Sequence, residues 1–96
     1  AIQLPTASVQ DVHTYGRTLL AEGNHQKAME IFKFNFKRAI SAEDKFTANV
    51  GMARGFTALG DKKNAIKHWE LAIKNIPENR KNGLPVYEAE LKKLKG

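Results

Sequence analysis

"ALGDKKNAIKHWELAIKNIP", residues 58–77, decides the fold. It reads as a turn, a capped helix and a proline stop. Gly60 supplies the turn and Asp61 the cap. Ala65, Ile66, Trp69, Ala72, Ile73 and Ile76 then recur at the three- and four-residue steps of one helical face. Pro77 ends the helix, whose interior tolerates neither its ring nor its missing N–H. Sliding the sequence against itself by 37 residues uncovers an upstream copy, "LLAEGNHQKAMEIFKFNFKRAI", residues 19–40. Gly23 falls on Gly60, Asn24 on Asp61, Ala28 on Ala65 and Phe32 on Trp69. Further upstream, Gly16 falls on Ala53, Arg17 on Arg54 and Leu19 on Phe56.

Working outward, apolar spacing is helical almost throughout. Val9, Val12, Tyr15, Gly16, Leu19 and Leu20 mark a first helix, with Ser8 and Asp11 as its capping pair. Gly23 ends it, and Asn24 is placed to cap the second. That helix carries Ala28, Ile31, Phe32, Asn35, Phe36, Ala39 and Ile40, with Phe34 off the stripe at an edge or an interface. After a turn at Ser41–Asp44, a third helix carries Phe46, Asn49, Val50, Met52, Ala53, Phe56 and Leu59. "ENRKNGL", residues 78–84, reads as a polar connector. Pro85 suits the first turn of a fifth helix with Val86, Tyr87, Leu91 and Leu94 on one side. No stretch sustains an alternation of period two. The expected class is therefore all-α, with about five helices in antiparallel hairpins.

Each repeated unit is a helix, a glycine turn and a second helix. Small residues at Gly16, Ala53, Ala28 and Ala65 let helices approach closely, and Phe32 and Trp69 fill the remaining grooves. One hairpin cannot bury both of its faces, so two must stack. The pattern resembles the tetratricopeptide repeat. The second unit matches best, through Met52, Ala53, Phe56, Gly60, Asp61, Ala65, Trp69, Ala72 and Pro77. The first keeps Tyr15, Gly16, Leu19, Gly23, Asn24, Ala28 and Phe32, and departs at Asn35 and Ile40. The offset exceeds the repeat's usual length of about 34 residues, which places an extra helical turn in "FKRAISAED". The resemblance implies a short right-handed superhelix in a single domain over residues 1–96. Repeat one covers about 8–41, repeat two about 43–77, and a capping helix about 85–95.

Composition narrows the function. The chain has 96 residues, 42% hydrophobic and 27% charged, which suits one small globular domain. No apolar run nears the roughly 18 residues that a membrane span needs. Cysteine is absent, which excludes disulfides and thiolate chemistry. "AIQLPTAS" at the N-terminus lacks the charged and apolar regions of a signal peptide. It fits the remainder of a cleaved precursor. The net charge of +6 favours acidic partners, and its scatter over the surface argues against a dedicated nucleic-acid face.

Nothing in the sequence assembles a catalytic, metal or cofactor site. His13, His25 and His68 show no metal-ligand spacing, Ser8 and Ser41 stand at helix starts, and no phosphate loop is present. Asp11, Glu43, Asp44 and Asp61 stand where the helix dipole favours negative charge. The resemblance implies that the first and third helices line a concave groove for a peptide. By register the groove residues are Gln10, His13, Thr14, Arg17, Thr47, Val50, Gly51 and Arg54. Arg17 and Arg54 are repeat-equivalent, so both guanidinium groups address one acidic peptide or a chain-terminal carboxylate. Chaperone-binding members of the tetratricopeptide family use a lysine–asparagine clamp for a C-terminal carboxylate; His13 and Arg17 occupy its first two places, and Gly51 stands where it requires asparagine.

The expected function is a non-catalytic interaction scaffold for a protein or peptide. The alternatives are an accessory domain of a larger enzyme or envelope protein, or a weak binder of acidic polymers or nucleic acid. About three repeats normally give independent stability, so two imply a module of a longer protein or a chain that pairs with itself. "YGRTLLAEGNHQKAMEIFKFN", residues 15–35, is similar to repeat-bearing C-terminal tails of some bacterial envelope proteins.

Overall fold

Ser8 Oγ accepts the Asp11 backbone N–H at 3.0 Å and starts α1, Val9–Ala21, as the sequence pair anticipates. A computed structural model describes residues 3–96 of the chain, so the first two residues of the N-terminal stretch and of the expected domain lie outside the described residues. α2 spans His25–Arg38, α3 Ala42–Leu59, α4 Lys62–Lys74 and α5 Leu84–Lys95. The fold is all-α, with no strand among the described residues. Ser41 Oγ caps α3 through Asp44 N–H at 3.1 Å, and Asp61 caps α4 through Asn64 N–H at 3.2 Å. Asn24 makes no such side-chain bond, so α2 begins without the expected cap. Pro85 lies in the first turn of α5.

The two glycine turns are built alike. Gly23 and Gly60 take φ of +82° and +79°, a left-handed conformation that side chains resist. At the first turn, Asn24 N–H donates to Leu19 O at 2.9 Å and Gly23 N–H to Leu20 O at 3.0 Å. At the second, Asp61 N–H donates to Phe56 O at 2.9 Å and Gly60 N–H to Thr57 O at 3.1 Å. These pairs sit at the same 37-residue offset as the sequence match. α1 packs on α2 and α3, α2 also packs on α3, and α4 packs on α3 and α5.

Two apolar clusters form the core. Val12, Leu19, Ala28, Met29, Ile31, Phe32 and Met52 make the first, and Phe46, Val50, Ala53, Ala65, Trp69 and Ala72 the second. Phe56 packs against both. Gly16, Ala53, Ala28 and Ala65 all point inward. Gly16 has no room for a side chain, since a Cβ there would lie 2.4 Å from Phe32 Cε1. Phe32 also beds on Gly51 and Gly55 of α3, where added Cβ atoms would meet its ring at 2.7 and 3.1 Å. Trp69 fills the equivalent place in hairpin two, its indole N–H 3.4 Å from Thr57 Oγ1.

Asn35 is buried with both ends of its amide hydrogen-bonded. Its Nδ2 donates to Val9 O at 2.8 Å and its Oδ1 accepts from Arg38 Nε at 3.2 Å. Four stripe residues depart from expectation. Ile40 is 84% exposed because α2 stops at Arg38 and the chain turns extended at Ala39. Phe36 is 42% exposed and keeps one edge-on contact with His68 at 5.4 Å. Leu59 lies at the rim of the Gly60 turn, and Val86 faces away from the wall that Tyr87 makes with Phe46 and Trp69. "ENRKNGL" is ordered where a plain connector was expected: Glu78–Gly83 forms a 3-10 helix, and Leu84 opens α5. α4 ends at Lys74, three residues before Pro77.

Candidate functional site

α1 and α3 lie side by side, and the repeat brings Arg17 and Arg54 to the same face. Both line two adjoining cavities. The larger, about 360 Å³, lies toward the C-terminal ends of α1 and α3 and is bounded by α5. Leu20, Ala21 and Ala58 give it apolar walls, with Thr57, Trp69 and Glu90 at its margins. The smaller, about 90 Å³, lies toward the N-terminal ends and is polar, with Gln10, His13, Thr47 and Arg80 around it.

Arg80 closes the N-terminal end of the groove. From the 3-10 helix its Nε donates to Glu43 Oε1 at 3.1 Å, and its Nη2 donates to Gln10 Oε1 at 3.2 Å. This ties the starts of α1 and α3 to the segment before α5. The pairing holds the Glu43 carboxyl below its ordinary range, chiefly through the Arg80 hydrogen bond and then that of Asn79.

Arg54 crosses the site. Its guanidinium lies 5.4 Å from the centre of the Trp69 ring, a cation–π contact that covers the indole. Its Nε is a buried donor with no partner among the described residues. Burial first, and then the charge of Arg17, push the Arg54 pKa down, while Glu90 and Tyr87 act the other way. Two positive groups thus face one groove with incomplete compensation. Among the described residues, neither arginine has a carboxylate within ion-pairing distance.

The residues chosen by register divide. Gln10, His13, Arg17, Thr47, Val50 and Arg54 line the smaller cavity together. Thr14 is exposed and lines neither; its hydroxyl donates to Gln10 O at 3.1 Å, back along its own helix. Gly51 lines neither, and instead lies beneath, against Phe32 and His13. His13 is 6% exposed with its ring 5.7 Å from that of Phe32. Burial, followed by the charges of Arg54, Arg17 and Arg80, lowers its pKa from 6.5 to about 4, so it is neutral at physiological pH. His13 Nδ1 has no partner among the described residues, whereas His68 Nδ1 lies 2.8 Å from Asn49 Oδ1.

Sequence register missed Arg80, Tyr87, Glu90, Leu20 and Ala58. The first three come from the connector and α5, outside the repeat, so no internal copy marks their place. Leu20 and Ala58 were within reach of the helical pattern, being one turn beyond Arg17 and Arg54 on the same faces. Among the described residues no three His, Asp or Glu side chains gather where they would hold a metal ion, and no helix is long and apolar enough to cross a membrane. No protein-family model, curated protein or solved structure matches the chain.

Proposed function

We propose that this chain is a non-catalytic interaction module of tetratricopeptide type. It binds an acidic peptide segment of a partner protein across the inner face of α1 and α3. One observation carries the reading: Arg17 and Arg54, equivalent in the repeat, border the same two cavities without an ion-pair partner among the described residues. Guanidinium groups so placed favour carboxylates, which they bind through paired N–H donors. Support for a non-catalytic role comes from how the reactive residue types are used. Ser8 and Ser41 are committed to caps, and His68 is held by Asn49.

The test is calorimetric titration of the chain and of an Arg17→Ala/Arg54→Ala variant with a short capped Asp/Glu peptide at low salt. The double variant is expected to bind at least about tenfold more weakly, the scale of losing charge-assisted hydrogen bonds. Unchanged affinity overturns the groove reading. Equal binding of a nucleic-acid duplex, falling steeply with salt, would make the site a general polyanion surface instead.

A further inference from the structure

The two cavities differ in size and chemistry, and the arginines stand between them. The smaller, about 90 Å³, has room for roughly three waters and so for little more than one oxyanion. Its polar margins, Gln10, Thr47 and Arg80, suit such a group. The larger, about 360 Å³, falls within the range of roughly 300–1,000 Å³ that ligand pockets occupy. Its walls at Leu20, Ala21 and Ala58 offer a carboxylate nothing. Glu90 at its margin repels one, and Lys93 lies 3.8 Å from Glu90 on the same helix. A purely acidic peptide would therefore satisfy the arginines and leave the larger cavity wet.

Resting on the groove reading above, we propose that the recognised element is an acidic residue next to a bulky apolar one. The carboxylate sits between Arg17 and Arg54, and the apolar side chain enters the cavity walled by Leu20, Ala21 and Ala58. Arg54 is the hinge of this arrangement. Its guanidinium is half-buried, its Nε lacks a partner among the described residues, and it lies over the ring of Trp69, which borders the same cavity. A carboxylate that pairs with it fixes the guanidinium over the indole and sets the edge against which the apolar group packs.

Trp69 is the chain's one tryptophan, so its fluorescence reports this site alone. The whole chain is titrated with three capped peptides: one pairing Asp with Leu, one pairing Asp with Gly, and one pairing Asn with Leu. The Asp–Leu peptide is expected to bind about tenfold more tightly than Asp–Gly, the scale of burying one apolar side chain after ordering costs. Ala58→Gln, which puts a polar side chain into the cavity and leaves both arginines, should remove that advantage. Ala21→Gln, at the exposed end of α1, repeats the test if Ala58→Gln fails to fold.

Equal affinity for Asp–Leu and Asp–Gly overturns the paired-residue proposal and leaves the acidic-groove reading intact. Binding of Asn–Leu as tight as Asp–Leu, or no binding of any peptide, overturns both. Hexanoate binding as tightly as Asp–Leu would show that the site takes small amphiphilic acids, and would also overturn the peptide proposal.

Discussion

Phe32 concentrates the packing logic in one ring. It is buried between α1 and α3 on three glycines, Gly16, Gly51 and Gly55. Gly16→Ala would gain about 1 kcal/mol in helix propensity. It would also put a Cβ within 2.9 Å of three Phe32 ring atoms, and the glycines of α3 leave the ring no retreat. Overpacking of this kind costs roughly 1–3 kcal/mol and outweighs the gain. Gly16→Ala should therefore lower the stability measured by urea unfolding, and adding Phe32→Leu should restore part of the loss. A double-mutant cycle showing no coupling would contradict the contact. His13 makes a second prediction at this scale. Its folded pKa is lowered to about 4, so the unfolded chain takes up a proton that the folded chain refuses. That contribution is complete above about pH 6.5 and is lost as pH falls towards 4, by roughly 2–3 kcal/mol. His68, also lowered by burial and then by Lys67, acts in the same direction. His13→Gln should flatten the fall in stability between pH 7 and pH 4.5, and an unchanged slope would mean that His13 is not held neutral.

At the scale of elements, the helices owe their ends to local chemistry, which is why they were legible in the sequence. Ser8, Ser41 and Asp61 cap as their positions suggest, and Gly23 and Gly60 close their helices with matching hydrogen-bond pairs. Asn24 looked equivalent to Asp61 but makes no side-chain bond. Ser41→Ala should thus cost about 1 kcal/mol, and Asn24→Ala clearly less, a contrast that paired thermal melts would reveal. Residues beyond a helix end were harder to read. Ile40 continues the apolar spacing of α2, yet the backbone leaves the helix before reaching it. The 3-10 helix Glu78–Gly83 carries no apolar stripe that would announce it, since none of its residues is buried.

Across the whole molecule, the two hairpins share a boundary made by Phe32, Met29, Gly51 and Gly55, and Phe56 touches both cores. The radius of gyration is 12.5 Å, close to the roughly 12.5 Å expected of a compact chain this long. Unfolding should accordingly be cooperative. Trp69 fluorescence, which reports hairpin two, and circular dichroism, which reports every helix, should give coincident denaturation curves. Separate midpoints would mean that the hairpins unfold independently. The candidate site was half legible for the same reason that the fold was. Arg17 and Arg54 repeat at the period of the hairpins, so register alone puts them on one face. Arg80, Tyr87 and Glu90 meet them only through the path of the chain after Pro77, which periodicity does not describe. The most direct test of that face is amide chemical-shift mapping of the isotope-labelled chain titrated with the capped Asp–Leu peptide. The shifts should concentrate at Arg17–Ala21 of α1, Arg54–Ala58 of α3 and around Glu90 of α5. Shifts confined to the outer lysines of α2 and α4, with residues 17–21 and 54–58 unmoved, would contradict it.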